Sequence, residues 1–210
     1  VIRELGVAYS PARLVDLSRI DFEALRRRFL EGRQRTEAER LRTLVSAKLH
    51  EMVRLNRSRA QYLERLQRLI EEYNAGSKNV ELFFQELMEL TQELSVEEQR
   101  TVAEALSEEE LALFDLLTKP EIELTEKERQ QVKHAARDLL QTLKDQKLVL
   151  DWRKRRQSRA EVLLAIEVVL DAELPLRFDP GLYRQKCDAI YEHIYDSYYG
   201  PGQSIYTHAA

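Results

Sequence analysis

Three times between Ser95 and Glu128 the chain repeats one local signature. It places a Ser or Thr, two residues of any kind and then a Glu, as in Ser95–Glu98, Ser107–Glu110 and Thr125–Glu128. At a helix start the hydroxyl accepts from a free backbone N–H while the Glu reaches back to the capping residue. Asp179-Pro180 adds a capping Asp followed by a Pro at the first helical position, Ser58 can cap another helix, and Gly76 fits a helix end. Between these signals the apolar residues recur at steps of three and four. Phe22, Leu25 and Phe29 form one such stripe; Leu41, Leu44, Val45, Leu49, Met52 and Leu55 form another. Tyr62, Leu66, Leu69 and Tyr73 follow, then Val80, Phe83, Phe84, Leu87, Thr91 and Leu94, then Val132, Ala136, Leu139, Leu140 and Leu143. That period describes amphipathic helices with one covered face. Only six Gly and five Pro interrupt 210 residues, too few for the tight turns of a sandwich or barrel. The expected fold is therefore all-α, a multi-helix bundle.

Ala160–Leu170 breaks the single-stripe pattern, because Val162, Leu163, Leu164, Ile166, Val168, Val169 and Leu170 leave few polar gaps. A helix apolar nearly all round belongs inside, so a largely buried helix is expected near 160–172. Pro120 suggests a boundary between an N-terminal helical half, 1–119, and a C-terminal half, 120–200, with 201–210 as a flexible tail. Lys147–Leu150 is too short to build a sheet and reads as a linker or the start of the next helix.

No apolar run reaches the roughly 18 residues of a membrane span, and no signal peptide opens the chain. The first residues read as those of a segment cut from a larger protein. Cys187 is the single cysteine, which fits a reducing, cytoplasmic setting. Asn56-Arg57-Ser58 matches a glycosylation sequon at the level of chance. Residues 1–75 hold 16 Lys/Arg against 11 Asp/Glu, whereas 76–151 hold 9 against 18, so a basic front precedes an acidic middle. Charge of either sign also has a plain helical use, as in the first-turn acids Glu97-Glu98 and Glu108–Glu110.

Motifs of catalysis are missing. There is no phosphate loop, no HExxH, no CxxC and no GxSxG. His50, His134, His193 and His208 are scattered, and Cys187 and His193 do not share a helix face. No catalytic, cofactor or metal residue is therefore assigned; three of the histidines are expected exposed or half-buried on helices and one in the tail. Asp138, Asp145 and Lys147 imitate the acid–acid–lysine set of metal-dependent nucleases. That chemistry needs the two-residue period of a strand, and a helix turns such positions about 200° apart. Two surfaces remain. Arg153, Lys154, Arg155 and Arg156, extended by Arg159, form a basic cluster able to meet phosphates or an acidic partner, beside Trp152 as a core anchor. Tyr183, Tyr191, Tyr195 and Tyr198 make a candidate docking stripe on the last helix.

Several strings together are similar to a known family. Glu72-Tyr73-Asn74-Ala75-Gly76, Glu109–Asp115, Leu148-Val149-Leu150-Asp151-Trp152-Arg153, Tyr183–Asp188 and Tyr191–Tyr198 resemble the C-terminal helical region of the R subunit of type I restriction enzymes. The likeness runs from about Ile20 to Gly200. It implies a parent protein that uses ATP and Mg²⁺ to translocate and cut DNA through domains outside this segment. It implies a non-catalytic helical domain without cofactors, which docks on the methyltransferase and specificity subunits beside the motor domain of its own chain. The alternative is a module that binds the DNA backbone through residues 153–159.

Overall fold

The computed structural model describes residues 21–120 and 122–207. These residues are helical almost throughout. The order is α1 (Phe22–Leu30), α2 (Gln34–Leu55), a 3-10 turn (Arg57–Arg59), α3 (Ala60–Asn74), α4 (Val80–Glu98), α5 (Arg100–Glu104), α6 (Glu108–Thr118), α7 (Glu126–Thr142), a π turn (Leu143–Lys147), α8 (Arg156–Glu173) and α9 (Pro180–Ser197). A two-stranded ribbon, β1 (Tyr198–Gly200) and β2 (Gln203–Ser204), closes the described chain. The all-α expectation holds.

The caps explain most of the boundaries. Ser107 and Thr125 each form the complete reciprocal capping box, with Glu110 and Glu128. Asp179 accepts from the amides of Gly181 and Leu182 ahead of α9. Gly76, at φ 75°, ends α3 with two reverse bonds: its amide to the Tyr73 carbonyl and that of Ser77 to the Glu72 carbonyl. The third Ser-x-x-Glu is not a start. Ser95 lies inside α4, whose buried row Leu87, Leu90, Leu94 and Glu97 continues past it. Packing along that face overrides the local signal.

The chain divides into two compact units. One comprises the chain to Leu49 with Arg65–Val96; the other comprises His50–Glu64 with Glu97–Ala210. Pro120 therefore lies within the second unit instead of dividing the chain there. The reason is that α6 and α7, on either side of it, bury Leu113, Phe114 and Leu117 in one core with Val132, Ala136 and Leu139. The first unit is centred on Leu41, Val45, Leu66, Phe83 and Leu87, and its rings stack, Phe29 on Phe84 at 4.0 Å and Tyr73 on Phe83 at 4.3 Å.

In the second unit the most enclosed helix is α6, not α8. From Leu111 to Leu117 all but Leu116 are buried, because α6 packs on α5, α7, α9 and the 3-10 turn. Lys186 of α9 donates to the carbonyls of Leu116 and Lys119 at 2.9 and 2.6 Å, a cation at the negative end of α6. Helix α8 covers only Val162, Ala165, Ile166 and Leu170, while Leu164 and Val168 remain 58% and 59% exposed. The expectation of a buried helix near 160–172 is thus corrected. Helices α7 and α9 and the π turn pack on α8, and among the described residues Ala160, Leu164, Val168 and Ala172 of α8 stay exposed.

The tail expectation is corrected as far as Thr207. Tyr206 is 6% exposed, and its hydroxyl donates to the Leu55 carbonyl at 2.6 Å. The turn between the strands uses Pro201 and Gly202, the latter at φ 65° where a side chain would be strained. Residues 208–210, with His208, and residues 1–20 lie outside the described chain.

Candidate functional site

The basic cluster grows out of a tight reversal between the π turn and α8. The Leu148 amide reaches back to the Leu143 carbonyl at 2.9 Å, which closes α7 one residue wide. Asp151 then adopts φ 56°, a left-handed geometry that Asp tolerates better than most residues. This reversal drops Trp152 into the core, fully buried, with its indole N–H donating to the Tyr198 carbonyl at 3.2 Å. The anchor reading of Trp152 holds.

With Trp152 fixed inside, its neighbours are fixed outside. The Arg153 guanidinium lies over the rings of Tyr195 and Tyr199, 4.6 and 5.2 Å from their centroids. Lys154 pairs with Asp151 at 2.8 Å, and Arg159 donates to the Arg153 carbonyl at 2.8 Å. Arg155 is the N-cap of α8 without a side-chain cap bond, and Arg156 is its first residue. Both side chains are exposed. The cluster is therefore a turn followed by a helix start. No acid stands in the first turn of α8, so its cations sit at the helix end that favours anions.

The tyrosine stripe is packed more than it is presented. Tyr183, Tyr191 and Tyr195 are half-buried against the core, and Tyr198 is buried. The Tyr183 hydroxyl donates to the Glu167 carbonyl at 2.7 Å, which ties α9 to α8. Tyr198 donates to Glu109 at 2.6 Å; burial and that carboxylate hold its pKa far above the ordinary phenol value. Tyr199, outside the expected set, is the exposed ring at this end.

An open apolar row lies instead on α8. Ala160, Leu164, Val168 and Ala172 are all exposed, and four-residue steps align them as one ridge. Val149 and Leu150, in the turn that precedes α8, are 44% and 68% exposed.

The nuclease-like set does not assemble. Asp145 and Lys147 lie in the π turn rather than a strand, and Asp145 accepts from Gln141 at 2.6 Å. Asp138 faces His134 and Glu173, and these three form the one set of His and carboxylates among the described residues close enough to share an ion. His193, expected at or near the surface, is 2% exposed.

One feature has little local signal in the sequence. Arg59 is 2% exposed and donates to Glu97 at 3.0 Å and to Glu108. Asp115, fully buried, accepts from both terminal guanidinium nitrogens of Arg100 at 2.7 and 3.0 Å, from Asn56 at 2.8 Å, from Ser58 at 3.0 Å and from Lys119 at 3.2 Å. These donors keep the Asp115 carboxyl below its ordinary pKa against the opposing effect of burial. Such a saturated network fixes how Glu97, α5 and α6 meet the 3-10 turn and leaves no group free for chemistry.

Comparison with known proteins gives a consistent picture. The family model described as "Type I restriction enzyme HindI endonuclease subunit-like, C-terminal" matches residues 10–195. A protein of Methanocaldococcus jannaschii, described as "Putative type I restriction enzyme MjaIXP endonuclease subunit", is 28% identical over 113 residues. The matched stretch covers 53% of this chain and 11% of that relative, so the chain corresponds to a small part of the relative's length. No solved structure matches.

Proposed function

The chain belongs to the family of type I restriction enzyme HindI endonuclease subunit-like C-terminal regions, and on that premise we propose that it is a non-catalytic docking domain. It holds an R subunit to the methyltransferase–specificity core of a type I complex. ATP-driven translocation and Mg²⁺-dependent DNA cleavage belong to other domains of the parent protein, in the cytoplasm, and the motor domain of the same chain is a second neighbour.

The observation that carries this reading is the exposed ridge Ala160–Leu164–Val168–Ala172 on α8. Full burial of a Leu or Val side chain contributes about 1.5–3 kcal/mol. Leu164 and Val168, each with more than half of that surface open, would together contribute about 2–3 kcal/mol on meeting an apolar groove of the methyltransferase subunit. That is enough to matter in a larger interface with a polar rim, which Arg153 and the half-exposed tyrosines would help to form.

The test is co-purification of the chain with the methyltransferase and specificity subunits, for the wild type and for Leu164→Asp/Val168→Asp. The wild type should be retained and the double variant lost, with Trp152 fluorescence unchanged in both. Failure of the folded wild type to co-purify refutes docking, and full retention of the double variant refutes this face.

The acid-free start of α8 with exposed Arg155 and Arg156 favours one second reading, contact with the DNA backbone. It requires duplex binding that falls steeply with salt and is lost in Arg155→Ala/Arg156→Ala. A wild type that shifts no duplex at low salt excludes this reading, and a shift that persists in that variant excludes Arg155 and Arg156 as its carriers.

A further inference from the structure

We propose that His134, Asp138 and Glu173 form a zinc site that clips α7 to the C-terminal end of α8. His134 and Asp138 stand four residues apart on α7, so their side chains leave the helix on one face. Glu173 is the last residue of α8 and comes from the other side. The His134 Nδ1 lies 3.2 Å from Glu173 Oε2 and 3.5 Å from Asp138 Oδ2. Zinc binds imidazole nitrogen and carboxylate oxygen at about 2.0–2.2 Å in a tetrahedron, whose edge is then about 3.3–3.6 Å. Two of the three edges already have that length to within about 0.1 Å. The three ligand atoms all lie within 4.8 Å of one another, and Asp138, with a side chain 48% exposed, is free to swing the remaining distance.

Two further features suit a cation here. Glu173 ends α8, where the unsatisfied carbonyls make the field negative. The Glu173 backbone is already held against α7, because Gln131 Nε2 donates to its carbonyl at 2.7 Å. The third ligand is thus positioned before any ion arrives, and ordering it adds little cost. An imidazole ligand disfavours Mg²⁺ and Ca²⁺, which take oxygen donors. Three protein ligands leave the fourth zinc position to solvent, in keeping with the 67% exposure of the His134 side chain. The site depends on neither docking nor DNA contact, and it bears on both: it would fix the end of the helix that carries the apolar ridge.

The test is calorimetric titration of the full chain with Zn²⁺, with Co²⁺ absorption as a report of coordination geometry. The expected result is saturable binding and a tetrahedral Co²⁺ band. His134→Ala and Glu173→Gln should each weaken Zn²⁺ binding on the order of tenfold or more, and His50→Ala should leave it unchanged. Zinc binding that is indifferent to Glu173→Gln, or absent from the wild type, overturns the proposal and leaves a histidine–carboxylate hydrogen-bonded cluster.

Discussion

Lowering the pH from 7 to 5 should destabilise the second unit by about 2 kcal/mol through a single side chain, His193. Its ring is 2% exposed, and its Nε2 lies 2.9 Å from the Tyr206 hydroxyl. That hydroxyl has one proton, which it donates to the Leu55 carbonyl at 2.6 Å. The histidine must therefore donate from Nε2, and the ring stays neutral with its proton there. Burial above all, together with the nearby Arg57 and against the weaker, opposing effect of Asp196, lowers the His193 pKa from 6.5 to about 4. A depressed histidine pKa means that the unfolded chain takes up a proton which the folded chain refuses. Stability is then complete above about pH 6.5 and falls as the pH drops from 6.5 towards 4. The whole shift corresponds to about 3 kcal/mol, of which about 2 is lost between pH 7 and 5. Buried carboxylates such as Asp115 act at lower pH, since their stabilising effect is present above the unfolded value of 3.8 and fades only below it. The single tryptophan supplies the assay. Trp152 is fully buried in the same unit, so urea unfolding followed by its fluorescence reads this unit. Wild type and His193→Gln should be compared at pH 7, 6 and 5. Glutamine can still donate to the Tyr206 oxygen but does not titrate. The wild type should lose about 2 kcal/mol more than the variant over this range. Equal losses in the two proteins would show that His193 carries no pH dependence and that the buried, neutral assignment is wrong.

The same fluorescence assay checks three further expectations. Arg59→Met leaves Glu97 and Glu108 without their common cation and should cost about 3–5 kcal/mol; a loss below 1 kcal/mol would mean that water compensates. Tyr206→Phe removes the donor to Leu55 and the acceptor for His193, at about 1–3 kcal/mol, whereas a truly loose tail would show no change. Thr125→Ala should cost about 1 kcal/mol as the loss of an N-cap. Ser95→Ala, within α4, should change the stability of its own unit by less than about 0.5 kcal/mol when measured by hydrogen exchange of that helix.

Local physics explains which features could be read in advance. The caps at Ser107, Thr125 and Asp179 need only residues within three positions, and each stands where its spacing places it. The Arg59 bonds to Glu97 and Glu108 join positions 38 and 49 apart, and the Asn56–Asp115 bond joins positions 59 apart. No local pattern encodes such pairs. Their one trace is Asp115 itself, an acid inside the apolar run Leu111–Leu117, where an unpaired charge would be too costly to bury. The ribbon had a trace too: Gly200-Pro201-Gly202 is turn chemistry, and the apolar Ile205 and Tyr206 beyond it provide a reason for the chain to return. The zinc trio combines both kinds of information. His134 and Asp138 share a legible i, i+4 relation, but Glu173 reaches them only through the packing of α8 on α7.

The error over α8 is the most informative, because the inference behind it is sound physics applied to an incomplete system. A helix apolar on all sides should bury all sides. In this unit α6, packed on α5, α7, α9 and the 3-10 turn, buries all of Leu111–Leu117 but Leu116, whereas α8, packed on α7, α9 and the π turn, buries only Val162, Ala165, Ile166 and Leu170. Sequence periodicity records how much of a helix is meant to leave water, and it is silent on which chain provides the cover. A core helix and an interface helix therefore read alike until the intramolecular contacts are known. The difference between the apolar circumference of α8 and the face covered by its own unit is the ridge through Leu164 and Val168. An isolated domain gains no stability from keeping two large aliphatic side chains more than half exposed, and it retains some aggregation hazard. The proposed docking would resolve that conflict by supplying a partner surface, and on that proposal Leu164→Asp/Val168→Asp should leave the fold intact while removing co-purification.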